Sequence, residues 1–83
     1  MSWETEDNRL VREFVFKGFT EAVKFVDEIV PIANHDDHHP DILIHSYRKV
    51  KIFLITHSEK RITAKDYSLA SKIDDLYSVY INK

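Results

Sequence analysis

The residues best suited to proton chemistry are concentrated in one short segment, Asn34-His35-Asp36-Asp37-His38-His39-Pro40-Asp41. Histidine titrates near neutral pH, so one side chain can donate and accept a proton within a single turnover. Pro40 biases His39 towards extended backbone. Because adjacent residues of an extended chain point in different directions, we expect His38 and His39 to have different roles or to face different surroundings.

Two further positions can take part in the same chemistry. His57 follows Thr56 and precedes the polar run Ser58-Glu59-Lys60-Arg61, a pattern typical of a strand end. Thr63 and Asp66 match a capping box, in which the hydroxyl and the carboxylate each accept a hydrogen bond from a free backbone N–H. Asp66 also precedes apolar residues by three, four and seven positions. We therefore expect it at the inward-facing start of a helix, where it could orient a histidine or hold a substrate nitrogen.

Hydrophobic periodicity predicts the elements that position these residues. Residues 10–16 alternate as a strand, and residues 3–5 are a candidate partner strand ahead of a turn at Asp7-Asn8. Gly18 ends that strand. A helix is predicted next, because apolar residues recur at helical spacing: Ala22, Phe25, Val26, Ile29, Val30 and Ala33. Pro31 has no N–H to donate, which predicts a kink or an early helix end near Asp27–Pro31.

The second half of the chain predicts a hairpin and a last helix. Residues 42–47 and 50–56 are β-rich and are separated by Arg48-Lys49, which indicates an antiparallel hairpin. Residues 63–81 read as a helix with a buried stripe: Leu69, Ala70, Ile73, Leu76, Tyr77 and Tyr80. Two helices on one face of an antiparallel sheet of about four strands make an α+β two-layer sandwich. We expect a single domain over residues 1–83.

Composition excludes several classes of protein. The 83 residues carry a net charge of −2 with both signs mixed, so the basic patch of a nucleic-acid-binding protein is missing. There is no cysteine, hence no disulfide framework, thiolate nucleophile or cysteine-based zinc site. We find neither a secretion signal nor an apolar run long enough to span a membrane, and we expect a cytoplasmic protein without a membrane partner. A core this small favours oligomerisation.

The order and spacing of the chemically versatile residues resemble the signature of the pterin-4a-carbinolamine dehydratase family. The matching positions are His38-His39-Pro40-Asp41, Tyr47, Val50, Thr56-His57, Thr63, Asp66, Leu69-Ala70 and Ile73. Upstream positions also resemble the family's first hairpin and helix: Trp3, Leu10, Arg12, Phe14, Phe16, Phe19, Ala22 and Phe25. His-His-Pro alone is a weak signal, whereas its combination with Thr-His and Thr-x-x-Asp is specific.

The resemblance implies a reaction and a set of roles. The reaction is dehydration of 4a-hydroxytetrahydropterin to quinonoid dihydropterin during tetrahydrobiopterin recycling, with the pterin as substrate and no metal or other cofactor. His38 and His57 are the implied proton-transfer pair. His39 joins the catalytic set and also binds and orients the pterin. Asp66, Asp37 and Thr56 are implied to bind substrate. Members of the family assemble as homodimers or homotetramers.

The chain departs from the family pattern at three places. Asn34 stands where the family often has Glu, and Arg61 stands where it often has Gly. The family's leading helical segment has no counterpart ahead of Trp3, from which we expect an altered lid or assembly surface. Substrate affinity and pterin preference are the properties that these departures put in doubt.

Other readings of the same residues stay open. His38 and His39 could cap a helix end and interact with its dipole. His35, Asp36, His38 and His39 supply the ligand types of a zinc site, although adjacent histidines rarely converge on one ion. A non-catalytic, small oligomeric interaction module on the same fold is the alternative function, because Phe53 and Ile55 on an open sheet face would favour self-association.

Overall fold

The computed structural model describes residues 3–81, which form four strands and two helices. In chain order these are β1 (Glu4–Glu6), β2 (Arg9–Val15), α1 (Phe19–Asp36), β3 (Asp41–His45), β4 (Lys49–Leu54) and α2 (Ala64–Ile81). All neighbouring strands are antiparallel, in the order β1-β2-β4-β3. Both helices pack on one face of the sheet, which confirms the predicted α+β arrangement. Neither helix within residues 3–81 is long and apolar enough to cross a membrane.

The core lies between the inner sheet face and the two helices. Alternation along β4 buries Val50, Ile52 and Leu54 completely, as the sequence pattern predicts. Five aromatic rings meet over β2 with centroids 4.8–5.9 Å apart, in tilted and edge-to-face arrangements: Phe14, Phe16, Phe25, Tyr77 and Tyr80. These side chains form one end of the core of the fold or pack directly against it.

Two turns set the registers of the hairpins. Asp7 and Asn8 have φ of 51° and 64°, the left-handed pair required by a two-residue turn between β1 and β2, as predicted. The second hairpin turns earlier than expected. Ser46 and Tyr47 both have φ of 51°, so β3 ends at His45, and Lys49 already belongs to β4. The prediction of a strand through Tyr47 was wrong, because nothing in the neighbouring sequence indicates that this tyrosine adopts left-handed backbone.

Of the kink or early end predicted near Asp27–Pro31, the early end was wrong, because helix α1 continues through Pro31 to Asp36. Pro31 removes the hydrogen bond that the Asp27 carbonyl would otherwise accept. Both residues are exposed, so water can solvate that carbonyl and the helix does not have to end. Val30 shares the helical spacing of the apolar residues of α1 but is 48% exposed, while the others of that set face the core in full or in part.

Replacing Pro31 with alanine is expected to raise the free energy of unfolding by about 1–3 kcal/mol, because the missing backbone hydrogen bond is restored inside the helix. Urea denaturation measures the change. Lys24→Ala, at another exposed position of α1, is the matched control and is expected to change stability by less than about 0.5 kcal/mol. Equal stability of Pro31→Ala and the wild type would show that the helix already accommodates the proline without cost.

The amino-terminal strands are tied to the last helix by one carboxylate. Asp74 of α2 accepts a hydrogen bond from the Trp3 indole at 2.8 Å and another from the Arg12 guanidinium at 2.6 Å. The same guanidinium lies over the rings of Phe14 and Tyr77, 4.4 and 5.3 Å from their centroids. These contacts hold α2 against the β1–β2 side of the sheet.

Candidate active site

Helix α1 ends in a turn that sets the position of His38. Asp37 adopts left-handed backbone, with φ of 49° and ψ of 43°. Its N–H donates to the Asn34 carbonyl at 3.2 Å, and the His38 N–H donates to the Ala33 carbonyl at 3.1 Å. These two bonds form a Schellman motif, which satisfies the last carbonyls of the helix and reverses the chain. His38 is thereby placed at the junction between α1 and the start of α2.

Replacing Asp37 with glycine is expected to raise the free energy of unfolding by about 0.5–1 kcal/mol, because glycine adopts left-handed backbone without strain. Thermal or urea unfolding measures this gain. The side chain of Asp37 is exposed and makes no hydrogen bond within residues 3–81, so its assignment to substrate binding stays a prediction. The same variant tests it: a raised KM would support contact with substrate, and an unchanged KM would limit Asp37 to its backbone role.

Three separate segments meet at the carboxylate of Asp66, which is completely buried. The Thr63 N–H donates to Oδ2 at 2.8 Å, and the Thr56 hydroxyl donates to the same oxygen at 2.8 Å. The other oxygen, Oδ1, lies 2.6 Å from Nε2 of His38. The predicted inward-facing position of Asp66 is therefore confirmed, and its partner is His38, 28 positions away in the sequence.

Burial would raise the pKa of the Asp66 carboxyl, but the hydrogen bonds from His38, the Thr63 N–H and the Thr56 hydroxyl outweigh it and hold the pKa below its ordinary value. Asp66 is thus a carboxylate, which can only accept hydrogen bonds. Nε2 of His38 must then carry the proton that it shares with Asp66. The other ring nitrogen, Nδ1, is left as the site where neutral His38 can accept a proton.

The hydroxyl groups of Thr56 and Thr63 continue the hydrogen-bond network beyond Asp66. Thr56 is buried and donates its only hydroxyl proton to Asp66, so in the 2.6 Å contact with Thr63 it must accept. The Thr63 hydroxyl donates to Thr56 and accepts the N–H of Lys65 at 3.3 Å. The predicted capping box at Thr63 and Asp66 is confirmed, and it is also the anchor of His38.

His38 and His39 line different cavities. His38 borders an open cavity of about 350 Å³ between the end of α1 and the first turns of α2, lined also by Asp36, Ala64, Lys65, Ser68 and Lys72. His39 lies on a smaller, mainly apolar cavity of about 190 Å³ between α1 and β3, where its Nε2 is 2.9 Å from Oδ1 of Asn34. The expectation that the two histidines face different surroundings is confirmed.

His57 directly follows Thr56 at the first position of a turn over residues 57–60. An isolated bridge between Thr56 and Arg61 closes this turn, and Lys60 within it has φ of 55°. His57 is exposed, and within residues 3–81 its ring makes no hydrogen bond. The structure thus brings His38, Asp66 and Thr56 into contact and leaves His57 beside them, one residue beyond Thr56.

An ion pair between Asp36 and Lys72 lies beside this site, and the sequence did not predict it. Both carboxylate oxygens of Asp36 accept hydrogen bonds from Nζ of Lys72, at 2.9 and 2.7 Å, and His35 Nδ1 lies 3.2 Å from Oδ1. The hydrogen bond from Lys72, more than that from His35, lowers the pKa of Asp36. Asp36 and Lys72 are 36 positions apart, so no local pattern predicts their contact. Within residues 3–81, no three His, Asp or Glu side chains form a group that could hold a metal ion.

The family comparison covers most of the chain. Residues 1–76 match the family described as pterin 4 alpha carbinolamine dehydratase. A Sulfolobus acidocaldarius protein, provisionally named a pterin-4-alpha-carbinolamine dehydratase, is 47% identical over 74 residues, which are 89% of this chain and 80% of that protein. A Picosynechococcus protein with the same provisional name is also 47% identical over 74 residues, 89% of this chain and 79% of its own.

A solved structure supports the same assignment. The crystal structure of a transcriptional coactivator/pterin dehydratase from Brucella melitensis superposes with a TM-score of 0.84 at 32% identity, covering 90% of this chain and 81% of that chain. The residues matched by the family include His38, His39, His57 and Asp66. The chain belongs to the pterin-4a-carbinolamine dehydratase family.

Proposed function

We propose that the protein dehydrates 4a-hydroxytetrahydropterins to quinonoid dihydropterins by histidine acid–base catalysis. The observation that carries the proposal is the hydrogen bond of 2.6 Å between His38 and the buried carboxylate of Asp66, at the wall of an open cavity. A histidine oriented by a buried carboxylate is a common arrangement for proton transfer. Family membership supplies the substrate class.

The reaction needs two proton transfers. The C4a–O bond breaks and the hydroxyl leaves as water, which requires a proton because hydroxide is a poor leaving group. The neighbouring N5 loses its proton, and the electrons of that N–H bond form the C4a=N5 double bond. No net oxidation or reduction occurs, so the step does not require a redox cofactor. Each positioned acid or base contributes a rate factor of about 10²–10⁴.

His38 is the base in this proposal. Its Nε2–H bond to Asp66 leaves Nδ1 to accept the proton from N5. The positive charge that develops on the ring then faces an ionised carboxylate, which stabilises the imidazolium in a buried setting. Thr56 and the Thr63 N–H hold the second oxygen of that carboxylate, so they position the base. The binding of substrate by Thr56 and Asp66 stays a prediction.

His57 is the proposed acid, and His39 the group that orients the pterin. The exposure of His57 lets it regain a proton from water between turnovers. His39 borders the apolar cavity and is held there by its contact with Asn34, which fixes the ring that is proposed to orient the pterin. Tetrahydrobiopterin recycling in the cytoplasm, by a homodimer or homotetramer, is the setting that the family resemblance implies for this reaction.

A non-catalytic interaction module is the second candidate. Phe19, Val23 and Val30 leave an exposed apolar row on α1, which is typical of a docking surface. The fold also resembles, at 20% identity and a TM-score of 0.73, a pterin dehydratase-like protein described as a RuBisCO assembly factor; the match covers 92% of this chain and 89% of that chain. That likeness concerns the fold alone. The intact His38–Asp66 pair favours the enzyme, because a docking surface on α1 has no use for it.

The deciding experiment is a dehydratase assay with freshly generated 4a-hydroxytetrahydrobiopterin, followed by its ultraviolet change. We expect the protein to accelerate the reaction well above the spontaneous rate. A variant lacking the His38 ring separates catalysis at this site from buffer effects. A correctly folded wild-type protein that accelerates neither this carbinolamine nor others with different ring substituents would overturn the enzymatic proposal and leave the interaction module.

A further inference from the structure

The ion pair between Asp36 and Lys72 separates two cavities. Both residues line the 350 Å³ cavity that contains His38, and both line a second cavity of about 290 Å³ with Pro31, Ile32 and His35. The pair joins the last residue of α1 to the middle of α2, with N–O distances of 2.7 and 2.9 Å. The ion pair therefore lies between two cavities that would otherwise be continuous.

We propose that this ion pair is a specificity wall, which limits the length of the ring substituent that a pterin can carry into the His38 cavity. The inference rests on the proposed function, since it assumes that the pterin occupies this cavity. A short substituent ends before the pair. A long one that extends towards Pro31 and Ile32 meets the pair and has to break its two hydrogen bonds.

The Asp36–Lys72 ion pair can be removed by substitution without unfolding the protein. The Lys72 side chain is 46% exposed and that of Asp36 is 18% exposed, so the pair lies at the surface end of the cavities. Ion pairs in such positions contribute little to stability. The space behind the pair is bordered by Pro31 and Ile32, with His35 at its edge. Apolar groups of this kind suit an aromatic ring in the substituent.

Two stable reduced pterins with the same bicycle provide the probes. The substituent of 7,8-dihydrobiopterin is a short hydroxylated alkyl chain, and that of 7,8-dihydrofolate contains a benzene ring and an anionic glutamate. Their dissociation constants are measured by calorimetry on the wild type, Lys72→Ala and Asp36→Ala. We expect both variants to shift the affinity ratio towards the longer ligand by about two- to fivefold, the range that corresponds to breaking an ion pair this exposed.

Two further variants sharpen the test. Lys65→Ala removes a cation from the same cavity without touching the pair, and is expected to leave the ratio unchanged. The double variant Asp36→Lys with Lys72→Asp rebuilds the pair with exchanged charges, and is expected to return the ratio to the wild-type value. Agreement of all four variants with these expectations would establish a wall that depends on the pair itself.

Other outcomes overturn the inference in distinguishable ways. A ratio that rises in Asp36→Ala but falls in Lys72→Ala would mean that Lys72 attracts the glutamate, and would replace the wall by charge recognition. An unchanged ratio in both variants, with normal binding of 7,8-dihydrobiopterin, would refute the wall and leave the proposed function intact. Failure of the wild type to bind either pterin would refute the wall, whereas the proposed function is refuted separately, by a wild type that shows no activity in the dehydratase assay.

Discussion

Replacing His38 with glutamine is expected to lower kcat/KM for a 4a-hydroxytetrahydropterin by about 10²–10⁴-fold. Glutamine can still donate an amide N–H to the buried carboxylate of Asp66, so the local packing survives. It has no nitrogen that accepts a proton at neutral pH, so the proposed base is lost. The spontaneous dehydration continues, and the residual rate should approach it. Steady-state kinetics on the purified variant, checked for folding by circular dichroism, measures the effect.

The control is His45→Gln. His45 lies on the open face of the sheet, where its Nε2 is 2.5 Å from a carboxylate oxygen of Glu13. It is a hydrogen-bonded histidine like His38, but the sheet separates it from the proposed site. We expect wild-type kcat/KM from this variant. Equal activity of both variants and the wild type would remove His38 from the mechanism.

Asp66→Asn is expected to lower kcat by about 10²-fold, because it changes the tautomer of His38. The amide oxygen of asparagine can accept the two bonds from Thr63 and Thr56, which places its NH₂ group against His38. A donor there favours the tautomer whose proton is on Nδ1, the atom that has to accept a proton in the reaction. The imidazolium also loses its counter-charge. KM should change less than kcat, since Asp66 is buried behind His38 and has no exposed surface.

The same substitution has a predicted effect on stability and on its pH dependence. The loss of a charged acceptor for buried donors should lower the free energy of unfolding by about 1–3 kcal/mol at neutral pH. The pKa of Asp66 is lowered in the folded state. Its stabilising contribution is therefore present above the unfolded pKa of about 3.9 and is lost as the pH falls through the lower folded value. Wild type and variant should thus converge in stability at the acid end.

Urea denaturation of both proteins between acid and neutral pH measures that convergence. The matched control is Asp75→Asn, at an exposed position of α2, which should alter neither kcat nor the free energy of unfolding appreciably. A stability gap between wild type and Asp66→Asn that stayed constant down to the lowest pH would contradict an ionised Asp66. A variant with full kcat would show that the tautomer of His38 is set in another way.

The parts of the site that depend on neighbouring residues could be predicted from the sequence. The capping box at Thr63 and Asp66 and the turn at Asp7-Asn8 need only a few consecutive residues, and both are present. The inward position of Asp66 followed from helical spacing. The identity of its partner, His38, did not follow from the sequence, because the chain has five histidines and the contact spans 28 positions. Long-range partners of polar groups leave no periodic signal.

The errors have a similar physical origin. Pro31 was expected to kink or end α1, yet the helix continues because the carbonyl that loses its partner lies on the solvent side. Whether a helix face is exposed to solvent depends on what packs against it, and the pattern of a single sequence does not show this. The turn at Ser46 and Tyr47 was placed too late because tyrosine favours strands, while its left-handed backbone here is set by the pairing of His45 with Lys49.

Because Trp3 donates a hydrogen bond to Asp74, the fluorescence of this protein reports whether α2 is docked on the first hairpin. Trp3 is the sole tryptophan of the sequence and is 8% exposed, with its indole against a carboxylate of the last helix. An indole that moves from such a setting into water emits at longer wavelength. The emission maximum therefore follows the docking of α2 onto the first hairpin, and it does so without an introduced probe. Ligand titrations can be monitored at this wavelength, and a spectral change would indicate that α2 moves relative to the first hairpin.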